Sequence, residues 1–287
     1  MSVNINLYSD WIDAVRDELS QNGHAVAGQS EEELAHAFLN LQKRLVQPLP
    51  RHVLKANGFS CPAAQAAGLA KLEDAIRRGD DLYPYLSRLI KRPDYNDALL
   101  NHWGIHHLHL GEVIEQDGFI KRTGPVLYVR FDRENAYLIT VADHGQWSVQ
   151  DHVRVIHRNW PQSISPYKYA GHVVLAKQIE DEDVATLRKV NINTSVEVEP
   201  GVVYGPIGGG YASSGISIDV VRQSDYVRER LGNMTQAVLS NIDSIRAHAL
   251  ENGVVIPESP TFKLEIADGT AYALEESARY LVKLGSL

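Results

Sequence analysis

A single cysteine, Cys61, stands among 287 residues, which excludes an internal disulfide framework and a metal cluster built on thiolates. The Ser-Cys-Pro-Ala-Ala around it matches no nucleophile motif, so the thiol reads as buried or incidental. Apolar runs of the roughly 18–20 residues that cross a bilayer are missing. The start, MSVNINLYSDWIDAVRDEL, lacks the basic stretch and apolar run of a secretory signal. No repeat and no strong compositional bias is evident. With 44% hydrophobic residues the chain can bury at least one sizeable core, and the expectation is an ordinary globular protein of the cytoplasm, without membrane attachment. Positive charge is also short: the net charge of −8 repels phosphate on average and argues against indiscriminate nucleic-acid binding. The distribution is uneven. Residues 1–40 carry seven acids against one base, and residues 41–92 ten bases against four acids, a pattern that reads as solvated helix faces.

What is present divides by period. DWIDAVRDELSQNG has apolar residues at helical spacing and an Asn-Gly stop, and SEEELAHAFLNLQKRL opens with Ser30 and Glu33 as a capping box. CPAAQAAGLAKLEDAIRRGDDL and YPYLSRLIKRPD add helical pieces. From about residue 97 the period drops to two, and WGIHHLHL, VLYVRF and AYLITVA read as strands, the last two joined by a DREN turn. HGQWSVQDHVRVIHRNWP reads as a loop entering a short helix. Further on, DEDVATLRKV reads as a helix, NTSVEVEPGVVYGP as a hairpin, IGGGYASSG as a flexible surface loop and ISIDVV as a strand. A long amphipathic helix over 224–252, the strand TFKLEIAD and a final helix ALEESARYLVKLG follow. The expected architecture is α+β: a helical region 1–95, a small antiparallel sheet over 96–166, and a second α+β region over 167–287.

The chemistry concentrates in NHWGIHHLHLGE, with four histidines between His102 and His109. On a strand, His107 and His109 share one face with Trp103 and Ile105, while His106 joins Leu108 and Leu110 on the other and reads as a core residue. An His-x-His pair on a strand suits two metal ligands, with His144, Asp143, His152, Glu112 or Glu115 as the third. The glycine pattern and dense strands of the cupins are absent. The same histidines suit proton transfer near neutral pH. Cleavage of RNA by its own 2′-hydroxyl needs a base, an acid and a cation for the phosphate. His107 or His144 with His109 supplies the first two, and Arg122 and Arg130 the cation, with Tyr128 on the face of Arg130. That chemistry needs no cofactor and no metal. Trp103, Trp147 and Trp160 flank these strands as core or rim residues, or as platforms for bases.

The order of these pieces, HHLHL, the basic loop IKRTGP, VLYVRF, DREN and AYLITVADHG, resembles the RelE and HigB toxin family over about sixty residues. The resemblance implies a small ribonuclease with helices leading into a twisted antiparallel sheet, and an antitoxin as protein partner. By position it implies His107, His109, His144, Tyr128 and Arg130 as catalytic groups. Lys121, Arg122 and Trp147 are then the groups that hold RNA. Two rivals stand beside it: a metal-dependent hydrolase or oxygenase built on His107, His109 and His144, and a toxin-like domain used only for binding.

Overall fold

A computed structural model describes residues 2–287. The elements run β1 (Asn4–Ile5), α1 (Leu7–Gln21), α2 (Glu31–Arg44), β2 (His52–Lys55), α3 (Ala66–Arg78), α4 (Ala98–Trp103), β3 (His106–His109), β4 (Pro125–Phe131) and β5 (Asn135–Asp143). Then come α5 (Asp151–Asn159), α6 (Asp181–Lys189), β6 (Val196–Glu199), β7 (Val202–Tyr204), α7 (Ile218–Ser240) and α8 (Ile242–Glu251). The chain ends in β8 (Thr261–Ala267), β9 (Thr270–Glu275) and β10 (Tyr280–Ser286). With 41% helix and 20% strand, and helices preceding mixed sheets, the protein is α+β. Among the described residues no helix is long and apolar enough to cross a membrane.

The chain divides into two compact units, the first made of residues up to Leu39 and from Val221 onward, the second Asn40–Val220. Positions 95 and 166, where the sequence period changes, both lie inside the second unit. In the first unit, Asn6 caps α1 by accepting the Ser9 N–H at 3.1 Å, and Leu7, Trp11, Ile12, Val15 and Leu19 form its buried stripe. Ser30 and Glu33 form the expected capping box, Ser30 N–H donating to Glu33 at 2.7 Å and Glu33 N–H to Ser30 Oγ at 3.2 Å. The sheet of this unit runs β1-β8-β9-β10.

Two expectations for this unit change. ALEESARYLVKLG is a hairpin, because β9 pairs along its length with both β8 and β10. Its turn is built on the buried Glu275 carboxylate, which accepts Ala278 N–H at 2.6 Å and Ser277 Oγ–H at 2.9 Å. Cross-strand pairing overrides a helix-compatible composition. The long C-terminal helix is α7 and α8, parted at Asn241, and Ile218 opens α7 where a strand was expected.

The second unit is organised by a sheet of order β2-β5-β4-β3. Its two outer strands run in the same direction but pair differently: β2 is parallel to its neighbour β5, whereas β3 is antiparallel to its neighbour β4, as is β5. Alternation along the strands feeds a core on each face. Leu108, Leu127, Val129, Leu138 and Val141 pack with α3 and Phe119 on one side. Val126, Tyr128 and Ile139 pack with Trp103, Ile105, Val153 and Ile156 on the other. His106 lies toward the first core with its ring 5.5 Å from Phe131. Trp103 belongs to α4, not to the strand, because Asp97 caps α4 by accepting Leu99 and Leu100 N–H at 3.1 Å and Gly104 ends it at φ 63°. YPYLSRLIKRPD forms two short 3-10 turns.

The glycine loop is packed, not flexible. A Cβ on Gly208 would stand 2.2 Å from the Leu100 carbonyl oxygen, and Gly208 N–H donates to His102 O at 3.0 Å. The loop therefore braces α4.

Two glycines separate packing from propensity. A Cβ on Gly68 of α3 would lie 1.8 Å from the Leu110 carbonyl oxygen, whereas one on Gly232 of α7 meets nothing within 4 Å. Gly68→Ala is expected to destabilise by about 1–3 kcal/mol, and Gly232→Ala to stabilise by about 0.5–1 kcal/mol. Urea unfolding of the two variants checks the opposite signs.

Candidate metal centre and its cavity

The register of three strands brings the site together. On β3, His107 pairs with Tyr128 and His109 with Val126, so both side chains rise on the Tyr128 face. Val126 pairs in turn with Ala142 of β5, and three residues further on the chain turns at Gly145, φ 108°. Tyr128 fixes that turn from beneath. Its hydroxyl donates to the Asp143 carbonyl at 3.0 Å and accepts Gln146 N–H at 3.1 Å. Burial pushes the Tyr128 phenol up to about 12, so it keeps its proton at neutral pH. His152 stacks on the Tyr128 ring at 4.4 Å and donates its Nε2–H to Gln146 O at 3.1 Å.

As a result His144 folds back over the sheet. One ring nitrogen each of His107, His109 and His144 lies within 4.8 Å of the other two. Ring centroids are 6.2 Å apart for His107 and His109, 5.6 Å for His107 and His144, and 5.9 Å for His109 and His144. Trp147 closes one side, 4.5 Å from His107 and 4.7 Å from His144. A tetrahedral ion about 2.0–2.1 Å from each nitrogen needs N···N separations of about 3.3 Å. Side-chain adjustments of about 1.5 Å at most close that gap.

Electrostatics keep the trio neutral. Burial lowers His109 to about 4, with His107, Arg122 and His144 adding to it. Burial also lowers His107, opposed by the Asp97 charge and assisted by His144 and Arg122. His144 is lowered by burial and then by Arg122. His109 is 2% exposed, and neither of its nitrogens has a hydrogen-bond partner among the described residues. Neutral imidazoles are the metal-binding form.

His107 and His144 open onto a cavity of about 610 Å³ that also takes in Tyr95, Asp97, Arg122, Trp147, Arg188 and Lys189. Such a volume suits a small molecule. Arg188 anchors part of its wall. The guanidinium donates through Nε to His102 Nδ1 at 2.9 Å and through Nη1 to the Trp147 carbonyl, and it lies 4.1 Å over the Trp103 ring. His102, 0% exposed, is lowered to about 3 by burial and by Arg188. Because Arg188 can only donate, His102 carries its proton on Nε2 and gives it to Thr194 O at 2.9 Å.

The residues named from sequence thus separate. His107, His109, His144, Trp147 and Arg122 come together, and His144 is the third histidine of the set. Tyr128 is buried beneath the site with its hydroxyl engaged. Arg130 turns away, its Nη2 donating to Ser163 O at 3.4 Å and its Nη1 close against Gly104. Lys121 is exposed and is not among the residues lining the cavity. Glu112 pairs with Lys71 and Glu115 with Arg88. Asp97, Arg188 and Lys189 escaped sequence reasoning. Asp97 reads only as a helix cap, and the Arg188-Lys189 pair only as the cations that commonly end a helix.

A pH dependence follows. His102, His109 and His152 are lowered from 6.5 to about 3, 4 and 4, in each case first by burial. Between about pH 6.5 and pH 4 the unfolded chain takes up protons that the folded, metal-stripped protein does not, so stability falls as pH falls through that window and is flat above it. The urea midpoint should be lower at about pH 5 than at about pH 7.5, and equal midpoints would contradict the buried neutral imidazoles. No protein-family model, curated protein or solved structure matches this chain.

Proposed function

We propose that the protein is a metal-dependent hydrolase whose ion is held by His107, His109 and His144. The observation that carries this reading is the convergence of three ring nitrogens within 4.8 Å of one another at the edge of a small-molecule cavity. One of the three is a buried imidazole with neither nitrogen satisfied. A buried polar group left without a partner costs about 1–3 kcal/mol, and ligation to an ion removes that cost for His109. Three imidazoles suit zinc, with copper, iron and nickel as other ions that favour them. An ion with three protein ligands keeps a position for water or substrate, acidifies that water and polarises an ester oxygen. Trp147 packs on two of the ligands, His107 and His144, and a cytoplasmic setting accords with a small, soluble substrate.

The alternative of proton chemistry by the histidines alone has less support. Imidazoles lowered below their ordinary value make weak bases at neutral pH and are seldom protonated as acids. Tyr128 and Arg130, which that mechanism needs, are occupied elsewhere. One observation favours it: Arg122 lies beside the trio at the cavity, where it can meet a phosphate. On that second reading the RelE-like resemblance holds, RNA is the substrate and an antitoxin the partner.

Protein purified without a histidine tag is expected to carry about one transition-metal ion per chain. His109→Ala and His144→Ala should each lower zinc affinity by about 100-fold or more, while hydrolysis of ester probes stops on chelation and returns with zinc. RNA cleavage that survives metal stripping, with His144→Ala inactive, would replace this reading by the second one.

A further inference from the structure

The wall of the cavity carries more positive than negative charge. Arg188 is 8% exposed, and the groups it touches, the His102 ring, the Trp147 carbonyl and the Trp103 face, are neutral. Among the described residues no carboxylate lies within ion-pair distance of it, and Nη2 has no hydrogen-bond partner. Tyr211, whose ring is 5.7 Å from that of His102, stands beside the guanidinium and favours its charged form. A buried cation with no carboxylate in contact is costly to keep, and Asp97 at longer range offsets its desolvation only in part. Lys189, the next residue on α6, and Arg122 line the same space. Against these three cations the cavity wall sets one carboxylate, Asp97. In a protein of net charge −8 the cavity therefore carries a surplus of two positive charges.

We infer that this cavity recognises small molecules bearing a phosphate group, which seats on Arg188 with Arg122 and Lys189 around it. The inference rests on the cavity of the proposed hydrolase and names its substrate class. A phosphate dianion matches the surplus charge, and its oxygens suit the exposed Arg122 guanidinium and Lys189 ammonium that line the cavity with Arg188. The cavity of about 610 Å³ leaves room beyond the phosphate for a substituent beside Trp147, with the bond to be hydrolysed toward the histidines. Arg188 then has two tasks, holding the Trp147 carbonyl and meeting the phosphate, so loss of its charge acts on binding beyond any effect on the loop.

The test titrates inorganic phosphate, with succinate as the carboxylate comparison, into the full-length protein at fixed ionic strength. Zinc-loaded and chelator-stripped samples are followed by thermal shift and phosphorus NMR. Phosphate is expected to bind both samples and more tightly than succinate. Arg188→Gln should weaken it by about tenfold or more, and Arg122→Ala and Lys189→Ala by about threefold each. Arg188→Lys should recover part of the loss. If Arg188→Gln fails to fold or to retain zinc, the exposed pair Arg122→Ala with Lys189→Ala decides, because neither holds the loop. Absence of phosphate binding in both samples overturns the inference. So does unchanged affinity in a zinc-retaining Arg188→Gln protein, or in the exposed double variant. The metal reading fails separately: phosphate binding by a protein that takes up no zinc removes the metal and leaves the anion site.

Discussion

Arg188 holding the Trp147 carbonyl is the contact on which the site depends. It joins the end of α6 to the turn that carries His144, and the same guanidinium joins both to α4 through His102. The arrangement has a condition. His102 accepts a hydrogen bond from a cation, so it has to stay neutral, and complete burial keeps it so. The glycine loop sets that condition by packing Gly208 against the Leu100 carbonyl, closer than any side chain allows. Remove the neutral His102 and Arg188 loses an acceptor; lose Arg188 and Trp147 no longer has a reason to lie on His107 and His144. A short helix with a left-handed Gly104 at its end thus controls where a histidine three elements later can stand.

Burial decides what the histidines are able to do. Several histidines elsewhere in the chain are paired: His152 with Gln146 O, His157 with the Tyr204 hydroxyl at 3.0 Å, His248 with the Tyr280 hydroxyl at 2.6 Å. His109 is not, although it is among the most buried of them. His106 is also unpaired, and it borders a space of about 30 Å³ shared with Arg44, Tyr95 and Asp97, room for a water molecule. The same burial that weakens imidazoles as acids and bases favours the neutral form that binds a metal, so one physical cause moves the chemistry from proton transfer toward ligation. Asp97, the only carboxylate on the cavity wall among the described residues, faces this in the opposite sense by favouring charge on His107.

Much of this was legible in the sequence, because alternation and helical spacing are local signals. Period two placed His107 and His109 on one face and His106 on the other, and the tight DREN turn led the chain back so that His144 could meet them. Asp132 makes that turn by accepting Glu134 N–H at 2.8 Å and Asn135 N–H at 2.6 Å, a role that asparagine and aspartate commonly fill. What was not legible depended on distant partners. β2 becomes a strand by pairing with β5, more than seventy residues later. The C-terminal hairpin depends on a buried glutamate and cross-strand pairing that no local propensity reports. Tyr128 and Arg130 share a face with the site in the alternation, yet the turn after β5 and the segment around Ser163 claim their polar atoms. Arg188 carried no signal at all, since a basic residue at a helix end is ordinary and only its burial sets it apart.

The central claim is that three imidazoles hold one ion, and X-ray absorption at the zinc edge of the reconstituted protein tests it most directly. The account predicts a first shell of three imidazole nitrogens with one or two lighter ligands at about 2.0–2.1 Å, reduced by one imidazole in His144→Ala. A shell made mainly of oxygens, or a spectrum unchanged in His144→Ala, would contradict it.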